Sequence, residues 1–374
     1  MNSNVLCESF KAHPAVYAVG REYQITVVTN VETLMWVRVG DEEFYDDSNG
    51  IIRSGKPVHK MTVPAELLDS QGGYTVCFRR VIERKPYYSE TEDITEINYT
   101  FRPVTGENIR IYHISDAHNK VDSPVGAGEY FGNSLDLLIL NGDIPNHSGD
   151  IANFDAIHEI AGRITKGEIP AVFSRGNHDT RGIHAEDLAD YTPTDGGSSY
   201  FTFRLGGLWG MVLDCGEDKD DSSVEYGNTI CCHWFRQKQT RFIEGVIANA
   251  EKEYLAPGVT KRMVVCHIPF TYIYRKPFDI EKELYAHWTG LLREHVKPDF
   301  ILCGHMHCTE VWYPGGEHDD HGQSCPVIIG SDPFLGRKDM DVFVGCAIEY
   351  GERNVKVRFT DQDKAVVGEE EFGI

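Results

Sequence analysis

The chain has 374 residues, 41% hydrophobic and 25% charged, with 36 Lys and Arg against 58 Asp and Glu and a formal net charge of −22. That length accommodates two domains or one large one, and the composition is that of a globular protein. The acidic excess, with no Lys/Arg block, argues against a nucleic-acid polymer as main partner. It does not exclude a small phosphate ester, because metal ions can set the local field where one binds.

Met1 to Pro14 carries no basic segment followed by an apolar run, so no signal peptide is expected. No stretch approaches the roughly 18–20 apolar residues of a membrane span. Apolar-polar alternation predicts strands at Tyr23–Val28, Leu34–Val39, Val58–Val63, Tyr74–Val81 and Ile94–Phe101. Turn signals separate them at Asp47-Ser48-Asn49-Gly50, Ser54-Gly55-Lys56-Pro57 and Gln71-Gly72-Gly73. Short strands at this spacing predict an N-terminal immunoglobulin/fibronectin-like β-sandwich over residues 1–103, and the run from Asp69 to Tyr74 loosely resembles a tyrosine corner. Arg102 to Asn108 reads as a linker. Being short and containing Pro103, it predicts a sandwich docked rigidly beside the next domain, contributing no metal ligand and dispensable for chemistry.

From residue 108 to 374 the pattern changes to strand–loop–helix alternation. Ile109–Ile114, Leu137–Leu140, Ala171–Phe173, Tyr200–Phe203, Leu208–Leu213, Arg262–Val265 and Phe300–Leu302 are short, apolar and mostly unalternated, as strands covered on both faces are. Helical spacing marks three segments, through Ile157, Phe242 and Trp288. Further strands follow at Glu310–Tyr313, Val327–Ile329, Val342–Ile348 and Val355–Phe359. Residues 216–233 are an acidic insertion without periodicity. The ten cysteines are scattered with no CxxC pair, which favours a reduced, cytoplasmic compartment over a disulfide framework.

Five polar clusters stand beside these apolar runs: Asp116-Ala117-His118, Asn141-Gly142-Asp143, Gly176-Asn177-His178-Asp179, Cys266-His267 and Gly304-His305-Met306-His307. Carboxylates, imidazoles and an amide at strand ends suit hard-to-borderline divalent metals. In an extended backbone Asp116 and His118 point the same way and can reach one ion. Asp143 has two oxygens and can bridge two ions. Asn177 offers a neutral carbonyl, and His267, His305 and His307 offer imidazoles. His305 and His307 can serve different ions. Each motif alone is weak; together, each beside a strand, they are specific.

This ordered set resembles the calcineurin-like metallophosphoesterases, over about Ile109 to Val357 with all five motifs intact. The resemblance implies an α/β catalytic domain, a sandwich of two mixed β-sheets flanked by helices. It implies two divalent ions (Mn, Fe or Zn), the first on Asp116, His118, Asp143 and His307, the second on Asp143, Asn177, His267 and His305. A hydroxide bridging them would attack phosphorus in line. His178 would be the non-ligand histidine at the leaving group, with Asp179 orienting it. The two-domain layout also resembles the purple acid phosphatases. Those carry a tyrosine three residues after the bridging aspartate, where this chain has Asn146, and a non-histidine where it has His118. No charge-transfer colour is therefore expected.

Asn146, His147 and Arg175 are candidate substrate contacts. The alternatives are a loop-capping role for the first two and a structural ion pair for Arg175. The expected activity is hydrolysis of a small phosphate monoester or diester. A cyclic-nucleotide or glycerophosphodiester-type phosphodiesterase is the alternative. A further one is a binding module, for which Trp36, Tyr45, Tyr87 and Tyr88 would have to form an exposed patch. Substrate identity and oligomeric state are left open, and specificity is expected in the loops.

Overall fold

The computed structural model describes residues 5–46, 55–334 and 341–374. The turn expected at Asp47–Gly50 lies outside them, as does Ser54.

Nine strands form the larger sheet. Across it run Val366–Gly373, Asn354–Asp361, Val344–Tyr350, Ile109–Ile114, Leu137–Asn141, Pro170–Ser174, Ala15–Val19, Glu22–Val28 and Val58–Pro64. A mixed six-stranded sheet runs Phe201–Leu205, Leu208–Leu213, Lys261–Cys266, Phe300–Cys303, Val327–Ser331 and Cys308–Trp312. The central strands are buried along their whole length, which is why their sequences are apolar runs without alternation. Ile111, Ile139 and Val172 of the larger sheet pack with Val212, Val265 and Leu302 of the smaller. Helix Asp155–Thr165 covers the outer face of the first sheet through Ile157, Ile160 and Ala161. Helices Cys232–Ala248 and Lys282–Leu291 cover the second through Ile243, Val246 and Trp288. This is the two-sheet α/β sandwich expected from the resemblance.

The first hundred residues also make a sandwich, but its two layers belong to different sheets. Thr33–Val39, Glu42–Tyr45, Gly73–Arg84, Ser89–Thr91 and Thr95–Thr100 form a sheet of their own. The opposing layer is Ala15–Val19, Glu22–Val28 and Val58–Pro64, which continue the nine-stranded sheet. Val16 and Tyr17 pair in parallel with Pro170 and Ala171. Met35, Val37 and Val76 consequently share one core with Ile109 and Ile111, across the expected boundary between 103 and 108. Gln24 exchanges two hydrogen bonds with Thr194, and Lys60 donates to the carbonyls of Ala189 and Thr192.

Two local expectations are corrected. Residues Ala65–Gln71 form a helix closed by Gly72 at φ 62°, a left-handed C-cap that glycine adopts without strain. The Asp69–Tyr74 run is therefore a helix end, not a tyrosine corner, and Tyr74 donates instead to the Gly167 carbonyl. The candidate aromatic patch is divided: Trp36 is buried and stacked on Tyr45, while Tyr87 and Tyr88 are exposed between Gly73–Arg84 and Ser89–Thr91. No helix among the described residues is long and apolar enough to cross a membrane.

Candidate metal centre

Each polar cluster begins where a buried strand ends. Ile109–Ile114, Leu137–Asn141 and Pro170–Ser174 run parallel in one sheet, and Lys261–Cys266 and Phe300–Cys303 run parallel in the other. Their carboxyl ends therefore converge on one edge, where α/β folds place ligands. Direct bonds join the two sheets there. Asn141 Nδ2 donates to the Leu302 carbonyl at 3.1 Å, and the His305 amide donates to both Asp116 carboxylate oxygens at 3.1 and 3.0 Å.

The loops are not extended, as the Asp-x-His spacing suggested. Asp116, His118, Asp143, His305 and His307 all have φ between 49° and 68°, five of the eleven non-glycine residues with positive φ among those described. Left-handed backbone costs a residue with a Cβ about 1 kcal/mol or more, and it persists where the surroundings over-determine it. Here Asp116 N bonds the Gly142 carbonyl and His118 N bonds that of Asp143, both at 3.0 Å, so the first loop is pinned to the second.

The donor atoms crowd one another. His118 Nε2 and His307 Nε2 are 3.0 Å apart, and His307 Nε2 is 3.3 Å from Asp116 Oδ1. His267 Nε2 is 3.2 Å from Asp143 Oδ2 and 3.8 Å from Asp116 Oδ1. His305 Nδ1 is 3.0 Å from Asn177 Oδ1. Ligands bound at roughly 2.0–2.1 Å to a common ion stand about 3 Å from one another. Three overlapping triads result: Asp116–His118–His307, His118–Asp143–His178 and Asp143–His267–His305, each with donor atoms within 4.8 Å.

Electrostatics make the same demand. The Nδ1–H of His267 donates to the Asn141 carbonyl at 2.7 Å, which turns the Nε2 lone pair toward two carboxylates. A lone pair facing two anions calls for a cation between them. Burial opposes charging His267, yet Asp143 and Asp116 push it up to about 10, so near pH 7 a proton takes that place until a metal ion displaces it. Burial likewise opposes ionising Asp116 and Asp143, but His267 holds both below the usual carboxylate range. Burial pushes His118 and His305 down to about 4, so both are neutral and free to ligate near pH 7. His118 Nδ1 and His267 Nε2 are buried with no hydrogen-bond partner. These residues fit divalent metal ions.

The remaining candidates separate. His178 lies beside this cluster, Nε2 4.0 Å from Asp143 Oδ2, with its ring edge-on to His118. Asp179 does not orient it. On the tight turn His178–Thr180 successive side chains diverge, and the buried Asp179 carboxylate accepts from Gly176 N at 2.7 Å and Asp143 N at 3.2 Å. Burial first, and Asp143 second, push Asp179 up to about 8. Two other residues hold the His178 ring. The Asn146 carbonyl accepts from Nδ1 at 2.7 Å, and Arg181 Nη1 donates to Nε2 at 3.1 Å. Asn146 acts through its backbone, and His147 Nδ1 accepts from the Gly149 amide, a loop-capping contact. Arg175 is turned away into an ion pair with buried Asp214 at 2.7 Å, its guanidinium over the Phe235 ring.

Sequence reasoning missed Arg181 and its partners Glu217, Asp218 and Tyr226. It also missed Ser115, whose hydroxyl donates to Asp116 Oδ2 at 2.8 Å, and the rings of Tyr274 against His305 and Phe334 against His118 and His307.

Residues 109–309, more than half of the chain, match the family model of the calcineurin-like phosphoesterases. The chain belongs to that family. Metal dependence is typical of it, in agreement with the donor clusters. No curated protein matches the sequence. Among solved structures, purple acid phosphatase PPD1 from yellow lupin (Lupinus luteus) seeds is similar over 97% of this chain and 74% of its own, with TM-score 0.60 and 13% identity. The structure of PhoD is similar over 99% of this chain and 91% of its own, with TM-score 0.55 and 10% identity. At such identities the likeness is one of fold, and it extends through the N-terminal strands.

Proposed function

We propose that the protein is a metal-dependent phosphoric-ester hydrolase acting on a small phosphate monoester or diester with two divalent ions, Mn, Fe or Zn. One observation carries the reading. The triads Asp116–His118–His307 and Asp143–His267–His305 share no residue, and a third triad links them through His118 and Asp143. Asp116, His118 and His307 would hold one ion, His267, His305 and Asn177 the other, with Asp143 common to both. Ions bound there supply Lewis acidity toward phosphoryl oxygens and lower the pKa of water. The chain's own residues orient and protect. The Asn141 carbonyl fixes the His267 tautomer, the His305 amide fixes the Asp116 carboxylate, and Asp179 ties the 176–179 turn to Asp143. His178, at the edge of the cluster, would protonate the leaving oxygen only as the imidazolium, since in the neutral ring Nδ1–H is bonded to the Asn146 carbonyl and Nε2 accepts from Arg181.

A specific observation favours a diester over a monoester. The arginines flanking the Gly176–Asp179 motif are both committed to buried carboxylates, Arg175 to Asp214 and Arg181 to Glu217. Neither offers uncompensated charge to a phosphate dianion, and a monoanionic diester needs less of it.

We also propose that residues 1–103 and 108–374 fold as one body, supported by the Val16–Pro170 pairing and the common core. A reducing, cytoplasmic setting is proposed too: all ten cysteines are free, and Cys215 and Cys266 lie with sulfurs 3.4 Å apart, unbonded. The test of activity is a substrate panel on metal-reconstituted protein: p-nitrophenyl phosphate, bis-p-nitrophenyl phosphate, cyclic and linear nucleotides, and glycerophosphodiesters. The account expects turnover, fastest on a diester. No turnover on any of these with two ions bound would remove the hydrolase reading. Faster turnover of the monoesters would remove only the diester preference.

A further inference from the structure

The segment 216–233 is acidic and carries no periodic pattern. In the structure its start closes on Arg181, which follows the His178–Thr180 turn. Glu217, 1% exposed, accepts from Arg181 Nε at 3.1 and 3.0 Å and from Nη2 at 2.8 Å. Asp218 accepts from Nη2 at 3.1 Å. The Tyr226 hydroxyl donates to the same two carboxylates at 3.0 and 3.1 Å, and Thr180 Oγ1 adds a bond to Glu217 at 3.0 Å. Only Nη1 is left outside this clamp, and it points at His178 Nε2, 3.1 Å away.

Two features separate a positioning role from phosphate binding. First, a guanidinium flanked by two carboxylates presents no net positive charge to an incoming anion. Second, arginine can only donate. His178 Nε2 must therefore accept, and its proton sits on Nδ1, bonded to the Asn146 carbonyl. The ring is held at both nitrogens, so its plane and tautomer are set together.

We propose that Arg181 is a positioning residue for His178, fixed by Glu217, Asp218 and Tyr226, so that the acidic insertion sets the geometry at the leaving-group side of the site. The proposal rests on the hydrolase reading for its kinetic consequence but not for its structural one. An imidazole free to swing by about 1 Å loses on the order of 10–100-fold in the step it assists.

The test combines kinetics with ring nitrogen chemical shifts. In Arg181→Ala, kcat on a series of aryl phosphate esters should fall about 10–100-fold with KM little changed. In a His178→Ala background the same substitution should cost nothing further, because Arg181 acts through that ring. In zinc-loaded wild type, 15N shifts of His178 should report the Nδ1–H tautomer, and Arg181→Ala should lose that preference. A loss that persists in the His178→Ala background, a change confined to KM, or an unchanged tautomer would overturn the proposal. If Arg181→Ala does not fold, Tyr226→Phe removes one hydroxyl from the clamp and carries the same comparison with a smaller loss. If wild type hydrolyses none of the esters, the hydrolase reading fails, and the tautomer alone decides the role of Arg181.

Discussion

Gly304→Ala places one methyl group where the two sheets meet. A carbon there falls 1.7 Å from Ser115 Oγ, 2.6 Å from Ser115 Cβ and 2.7 Å from Asp116 Oδ2, where ordinary contact begins at 3.4 Å. The loop has little room to retreat. Gly304 N bonds the His267 carbonyl at 2.9 Å, and Met306 N bonds the Gly304 carbonyl at 2.8 Å. Relief therefore requires moving either the loop that carries His305 and His307 or the Ser115–Asp116 pair, and each carries donors of the centre. Overpacking of this kind costs about 1–3 kcal/mol, which for a protein of this size lowers Tm by a few degrees. The functional loss should be larger, about 10²-fold or more in kcat/KM, because displacement by about 1 Å is enough for that. The assay is elemental analysis with kcat/KM on bis-p-nitrophenyl phosphate and a thermal melt. Gly245→Ala is the control: that helical glycine has nothing within 4 Å of the added carbon, so it should keep activity and gain up to about 1 kcal/mol. A Gly304→Ala protein with wild-type metal content and wild-type turnover would refute the reasoning about how this centre is packed.

His178→Ala should keep both ions and slow turnover by about 10²–10⁴-fold, less for substrates with good leaving groups; equal losses across a leaving-group series would leave the ring a structural role only. His158, on helix Asp155–Thr165, gives a pH dependence independent of the metals. Burial, reinforced by Lys11 and Lys60, holds it down to about 3, whereas the unfolded chain takes up that proton near pH 6.5. Its contribution to stability is thus present above pH 6.5 and is lost as pH falls, at about 1.4 kcal/mol per pH unit. In denaturant titrations between pH 7 and 5, His158→Phe should flatten the slope by that amount, and parallel slopes would contradict the assignment. A fragment starting at Thr105 loses three strands of the nine-stranded sheet and bares the edge of Pro170–Ser174 together with the core face of Val172. It should be insoluble or unfolded by circular dichroism; a soluble fragment with a cooperative melt would show two independent domains.

The site was legible in the sequence because its signals are local. A polar cluster beside an apolar run keeps the same neighbours in the chain and in the fold, and Asp116, Asp143, Asn177, His267 and His305 each sit just past a strand end. What was not legible depends on distance or on backbone shape. Ala15–Val19 carries no alternation, and its partner Pro170–Ser174 lies some 150 residues on, so its place in the larger sheet could not be read from its own pattern. Val366–Gly373 is largely exposed and rich in glutamate, as an edge strand can be, and gave no apolar signal. The left-handed loops leave no mark in composition, and an Asp-x-His spacing by itself predicts an extended segment. Arg181 has its partners Glu217 and Asp218 36 and 37 residues away in a segment without periodicity. Asp179, adjacent to His178 in the chain, bonds the amides of Gly176 and Asp143 instead.

The measurement closest to the central claim pairs elemental analysis with turnover on wild type and Asp143→Asn. Asp143 is common to both proposed ion sites and belongs to two of the three donor triads. Wild-type protein reconstituted with Mn or Zn should bind two ions per chain and hydrolyse p-nitrophenyl or bis-p-nitrophenyl phosphate. Chelation should abolish that activity, and Asp143→Asn should lose both metal and turnover, since an amide cannot offer a full negative charge to two cations. Two ions and near-normal turnover in Asp143→Asn, or undiminished hydrolysis by metal-free wild type, would contradict the account.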